Sequence, residues 1–170
     1  MGYTPRMERV VVADYDPRWP ALFREERERL VRALDGGAVD VQHIGSTAVP
    51  ALAAKPIVDI LVGVRRLPIR TPDIGALCRL GYEYRGEHGI PGRLYFKRPG
   101  MHVHLVAFRS PFWDDHVAFR DALRGSRELA LEYSVLKRRL AQEFGDDRAR
   151  YQDGKTAFIR RVTEQAAARV

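Results

Sequence analysis

The stretch Val41–Val64, "VQHIGSTAVPALAAKPIVDILVGV", sets a Gly-Ser-Thr turn between two apolar segments, and the second segment carries a lone carboxylate, Asp59. "VDVQHI" reads as a strand that delivers the chain to Gly45, Ser46 and Thr47. Residues 48–54 are small and predict one or two helical turns. "KPIVDILVGV" is a nearly continuous β-rich run, the mark of an interior strand covered on both faces. Strand periodicity puts Ile57, Asp59, Leu61 and Gly63 on one face and Val58, Ile60, Val62 and Val64 on the other. Strand, turn and short helix together gather backbone N–H groups and two hydroxyls at a helix N-terminus. That arrangement suits an anion, and Gly45 lets the backbone approach it closely. The alternative is that Ser46 or Thr47 merely caps the short helix.

Asp59 weighs on that choice. A carboxylate in such a strand must be paired or bind a metal, because burying it bare costs several kcal/mol. Lys55, four residues upstream, projects on the same face, so a buried Lys–Asp pair is the structural alternative. A third element is "MHVHLVAF", whose His102 and His104 share one face while Val103 and Leu105 share the other. Two imidazoles about 7 Å apart along a strand can ligate one metal or flank one phosphate, and polar histidines of a half-exposed strand look the same. His43 is a further imidazole, directly before the turn.

Outward from this block, "VVVADY" predicts a short strand or extended arm. A helix follows, with Asp16 as N-cap, Pro17 as its first residue, and Trp19, Leu22, Phe23, Leu30 and Leu34 on its apolar side. Gly36 and Gly37 end it. "TPDIGALCRLG" predicts a helix capped by Thr71 and stopped by Gly81. "YEYRGE", "RLYFKR" and "MHVHLVAF" are strand candidates, the last two joined by Pro99-Gly100. Beyond Phe112 the chain reads as helical: Asp114 or Asp115 caps one helix, Ser126 the next, and the last covers residues 154–168. Trp19 and Trp113 read as core anchors. The order predicts an α+β fold in one domain, 1–170, with a mixed, largely antiparallel sheet flanked by helices and a helical C-terminal segment.

Composition limits the partners. The 170 residues are 45% hydrophobic and 30% charged, ordinary for a globular chain. A single cysteine, Cys78, rules out an internal disulfide or thiolate zinc site, and its apolar helical setting predicts a small core residue. No apolar run approaches the length of a membrane span, and Arg6, Glu8 and Asp14 interrupt the N-terminus, so a cytoplasmic protein is expected. The net charge of +7 favours anionic partners. It is dispersed, without a basic strip and interleaved aromatics, so nucleic acid ranks last among them.

Quoted together, "YDPRWPALFREERERL", "HIGSTAVPALAAKPIVDILV", "HVHLV", "FRDAL", "EYSVLKRRLA" and "YQDGKTAFI" resemble the GrpB-like family. That family is a branch of the nucleotidyltransferase superfamily, also found fused to dephospho-CoA kinases. The resemblance runs in order over nearly the whole chain and implies a nucleotidyltransferase-like fold. It also implies that Gly45 and Ser46 contact nucleotide phosphates and that Asp59 is the first metal-holding acid. Leu61 stands where the second acid belongs, and His102 and His104 stand in the strand that would supply a third. One Asp with two His suits a single Mn²⁺, Fe²⁺ or Zn²⁺ better than a two-metal centre, which needs carboxylates, and the cofactor expected is a divalent metal, Mg²⁺, Mn²⁺ or Zn²⁺.

The resulting expectation is a metal-dependent enzyme acting on a nucleotide or another phosphate compound. His43, Gly45, Ser46 and Thr47 form its phosphate side, Lys55 neutralises charge beside Asp59, and Asp59, His102 and His104 hold the metal. Arg93 and Lys97 add positive charge. Tyr133 with Lys137, and Tyr151 with Lys155, are four-residue pairs that share a face wherever the backbone is helical, a base-stacking Tyr beside a phosphate-reaching Lys. The alternative is a non-catalytic nucleotide-binding module.

Overall fold

A computed structural model describes residues 9–67 and 69–168. Residues 1–8, which include Arg6 and Glu8 of the N-terminal reading, lie outside the described residues. Five helices and five strands follow in the order α1 (Trp19–Ala33), β1 (Ala38–Ile44), β2 (Val58–Val64), α2 (Thr71–Arg79), β3 (Glu83–Tyr84), β4 (Arg93–Arg98), β5 (Met101–Ala107), α3 (Pro111–Gly125), α4 (Arg127–Phe144) and α5 (Arg148–Ala167). One sheet takes the order β1-β2-β5-β4-β3. Its β2–β5 pair is parallel, with Asp59 opposite His102 and Leu61 opposite His104, and the other pairings are antiparallel. The expected mixed, mainly antiparallel α+β architecture is what forms.

The period-two reading of β2 holds along its length. Val58, Ile60, Val62 and Val64 join Val103 and Leu105 in a core against Leu30 of α1, Leu34 at its C-cap and Leu77 of α2. The opposite face is divided. Leu61 is sealed with Ile44, Val106 and Trp113 beneath α3, and a side chain at Gly63 would collide with Trp113 and Phe108. Asp59, at the other end of that face, stays clear of α3 and lines an open cavity. Trp19 and Trp113 are both buried, as their apolar neighbours predict.

Several local expectations shift. The segment after the turn is a single 3-10 turn, Ser46–Ala48, rather than helix over 48–54, and Ala54 instead forms an antiparallel bridge with Ala13 of the extended N-terminal arm. Asp16 lies three residues ahead of α1 and accepts from Arg18 N–H, so its capping turn precedes the helix. Thr71 is the first residue of α2, and Arg70 occupies the cap position. Ser110, not Asp114 or Asp115, caps α3 by accepting from Trp113 N–H. Ser126 caps α4 as expected. The last helix starts at Arg148 because Asp147 caps it. Cys78 is exposed, not core: α2 turns Asp73 and Leu77 inward, and Cys78 follows Leu77 by one residue, about 100° round the helix.

Candidate functional site

The cavity of about 430 Å³ beside Asp59 has the sheet as its floor and the Gly45–Thr47 turn with α4 and α5 as its walls. Asp59 rises from β2, Arg93 and Tyr95 from β4, and His102 and His104 from β5. From the helices come Tyr133 and Lys137 of α4 and Arg148, Tyr151 and Lys155 of α5. The lysine and arginine side chains in this wall are Lys55, Arg93, Lys137, Arg148 and Lys155; Asp59 is the one carboxylate facing them among the described residues.

The turn is built by close approach. Gly45 adopts φ +70°, a left-handed conformation that side chains resist. A Cβ there would lie 2.7 Å from Asp59 Oδ2. Glycine at this position therefore brings the backbone of the turn directly against the carboxylate. Thr47 is buried, and its hydroxyl donates to the Ile57 carbonyl, tying the turn to the start of β2.

His43 does not enter the cavity. It is buried behind the turn, with Nε2 3.0 Å from Thr47 Oγ1 and its ring stacked on Phe23 at 4.9 Å. Burial, reinforced by the Arg124 charge, lowers its pKa to about 4, so it supports Thr47 as a neutral ring. Lys97 is exposed and lines a neighbouring groove with Lys55, His102 and Arg148, outside the cavity.

Lys137 reaches the turn from α4. Its ammonium donates to Ser46 Oγ at 2.8 Å and to the Ala53 carbonyl, and lies 4.6 Å from the Tyr133 ring centroid. It is buried rather than a surface lysine. Burial, then the charges of Lys155 and Arg138, brings its pKa down to about 7. Lys155 sits over the Tyr151 ring at 4.6 Å, and burial followed by the Lys55 charge brings it to about 8. The two Tyr–Lys pairs therefore form as the four-residue spacing requires, with both lysines turned inward.

Asp59 is paired, but not with Lys55. His102 Nδ1 lies 3.3 Å and His104 Nε2 3.4 Å from the same oxygen, Oδ1. Lys55 instead approaches the Tyr151 ring at 5.9 Å. Burial by itself would raise the Asp59 carboxyl, but the two imidazole contacts outweigh it and hold the group well below the usual carboxylate range.

The expected metal ligands Asp59, His102 and His104 are thus brought together as a hydrogen-bonded triad. Arg93 Nη1 lies 3.3 Å from His104 Nδ1. A guanidinium cannot accept, so Nδ1 accepts and the ring proton sits on Nε2, where it donates to Asp59. A metal on Nε2 would need that lone pair free and the proton moved to Nδ1, against Arg93. Among the described residues no group of three or more His, Cys, Asp or Glu side chains is arranged to hold a metal ion. The residues present do not fit the implied metal in this arrangement. Arg93 itself is buried and fixed by donating to the carbonyls of Glu87 and His88.

His88, Tyr95, Arg148 and Gln152 also line the cavity and were not legible as site residues. Tyr95 shares the face of Arg93 by period two, a signal available in "RLYFKR". Arg148 was hidden because α5 begins six residues earlier than expected.

Residues 9–165 match the sequence model of a family described as GrpB protein. The chain is 37% identical over 162 residues to the UPF0157 protein YqkA of Bacillus subtilis, covering 93% of this chain and 47% of that one. It thus spans about half the length of that relative. It is 37% identical to the UPF0157 protein SCO7215 of Streptomyces coelicolor, over 96% of this chain and 88% of the other. The crystal structure of the conserved protein GrpB from Enterococcus faecalis superposes with a TM-score of 0.86 at 39% identity, covering 94% of this chain and 98% of that chain.

Proposed function

The chain belongs to the GrpB family, and for this member we propose binding of a phosphate-bearing small molecule of the nucleotide class in the cavity over Asp59. One observation carries the reading: Lys55, Arg93, Lys137, Arg148 and Lys155 converge on a glycine-led turn with only one carboxylate among them. Concentrating that much like charge is unfavourable unless an anion occupies the space. Burial lowers Lys137 and Lys155, the sign of cations held out of water with too few acids to pair them. A phosphate chain supplies the missing charge, and the Gly45–Thr47 backbone and the Ser46 hydroxyl supply donors.

A second reading, turnover of the bound compound, is favoured by Asp59. It stays ionised in the middle of the cavity, oriented through one oxygen by two imidazoles. Such a carboxylate, held well below the usual carboxylate range, can accept a hydrogen bond from an attacking hydroxyl and orient it while the surrounding cations stabilise charge on phosphoryl oxygens.

Calorimetric titration with pyrophosphate and with nucleoside triphosphates tests the first reading. Saturable binding that weakens at least tenfold in Lys155→Ala supports it. Absence of binding by pyrophosphate and every triphosphate sinks it. Turnover across the same panel, with and without Mn²⁺, separates the enzyme from the binding module: product formation that disappears in Asp59→Asn supports catalysis.

A further inference from the structure

A second cavity, of about 740 Å³, opens between α3 and α5 beside the first. Gly45, Asp59, His104 and Tyr133 line both, so the two spaces meet over the one carboxylate. Their chemistry differs. Ile44, Phe119 and Ile159 wall the second cavity, with the Phe119 and Tyr133 rings set edge to face at 5.5 Å. Besides Asp59, its Asp, Glu, Lys and Arg side chains are Asp115, Arg160 and Glu164, all exposed, and two of these three are acidic. This is no place for a second phosphate.

Resting on the phosphate reading above, we propose that the second cavity takes the nucleoside part of the same ligand, with the bond between it and the phosphates lying over Asp59 and His104. Continuity carries the assignment: a molecule whose phosphates fill the cationic space has the apolar one as its adjoining room. A wall of Phe119, Ile44 and Ile159 with polar groups at the mouth matches a flat ring system whose edges carry hydrogen-bonding groups. An alkyl chain would fill the wall but leave Arg160 and Asp115 without a role. The junction also places Asp59 beside the linkage that a transfer reaction would address.

The test compares affinities, at one ionic strength, for pyrophosphate, dodecyl phosphate, ATP, GTP, CTP and UTP. The expected result is at least one nucleotide binding tenfold or more tighter than pyrophosphate. Two variants then probe the second cavity. Thr156→Trp fills it from an exposed position of α5, and Ile159→Glu charges its wall. Both should remove the nucleotide's advantage while leaving pyrophosphate affinity within about twofold. Ile159 packs on a buried cluster, so Thr156→Trp keeps the test readable where the other variant fails to fold. Nucleotides binding no tighter than pyrophosphate, or indifferent to Thr156→Trp, overturn the inference and leave the phosphate reading standing. Dodecyl phosphate gaining the same advantage overturns the nucleoside assignment. Failure of pyrophosphate to bind with the nucleotides also failing overturns the underlying reading, and this inference with it.

Discussion

The Lys137 ammonium donates to Ser46 Oγ at 2.8 Å, joining the fourth helix to the turn that precedes the second strand. This contact makes the turn and the helical wall one site. It also buries a cation whose acceptors are a hydroxyl and a carbonyl, with no carboxylate contact among the described residues. An anion in the cavity would supply that missing countercharge. Lys137→Met keeps most of the volume and removes the charge. Pyrophosphate affinity should fall at least tenfold, about 1.4 kcal/mol. The melting temperature should hold or rise, because a desolvated charge is gone. Unchanged affinity in a folded variant would remove Lys137 from the site.

The same lysines give the site a pH dependence. Lys137 near 7 and Lys155 near 8 are charged at mildly acid pH and neutral in alkali. Anion affinity should therefore decline as pH rises from about 6.5 to about 8.5, and Lys137→Met should flatten the lower part of the curve. Stability should move the other way. Both folded values lie below the usual lysine value, so above them the unfolded chain binds more protons and unfolding free energy gains with pH. Titrations and thermal melts across that range check both signs. Affinity rising with pH would exclude these two groups as the anion's partners.

Gly45→Ala tests the closeness of turn and carboxylate. The new methyl must sit at φ +70°, with Asp59 Oδ2 2.7 Å away. Strain at such a position costs roughly 1–3 kcal/mol, and the carboxylate has to leave its two imidazoles or push the turn outward. The variant should unfold at lower denaturant and lose phosphate affinity together. An unaltered denaturation midpoint would show that the turn has room to spare.

The core of this fold was legible because β2 and β5 keep a period of two: Val58, Ile60, Val62, Val103 and Leu105 share the face that packs against α1 and α2. The turn, Asp59, His102 and His104 were legible because polar residues inside apolar strands stand out. Arg148 and His88 were not, because each reaches the cavity by tertiary packing from a helix start or a loop that carries no periodic signal. His43 misled for a related reason. Adjacency to the turn suggests a ligand contact, but strand geometry sends its side chain behind Thr47, against Phe23. The pairing of His104 Nδ1 with Arg93 depends on antiparallel register, which no local pattern reveals.

That pairing decides a metal experiment. While Arg93 faces Nδ1, the His104 proton stays on Nε2 and blocks ligation there. Wild-type protein titrated with Zn²⁺ or Mn²⁺ should show no tight site that depends on both Asp59 and His104. Arg93→Met frees Nδ1 to carry the proton, and Zn²⁺ affinity should then rise at least tenfold and be lost again in Arg93→Met with Asp59→Asn. A tight wild-type site abolished by Asp59→Asn and by His104→Gln would show that the triad rearranges to bind metal.

Position 61, where the resemblance to nucleotidyltransferases predicts a second acid, holds Leu61 for a packing reason. It shares the face of Asp59, but it is fully buried with Ile44, Val106 and, from α3, Trp113. Gly63, next along, is kept small by the same Trp113 ring. An acid at position 61 would point into that apolar cluster instead of the cavity. Leu61→Asp should therefore destabilise by several kcal/mol, through a buried unpaired carboxylate and a lost aliphatic contact. It should confer no Mg²⁺ or Mn²⁺ binding. Chemical denaturation gives the first quantity and metal titration of the folded fraction the second. A stable Leu61→Asp protein that binds Mg²⁺ would mean that α3 can lift from the strand and that a two-acid site is latent in this fold.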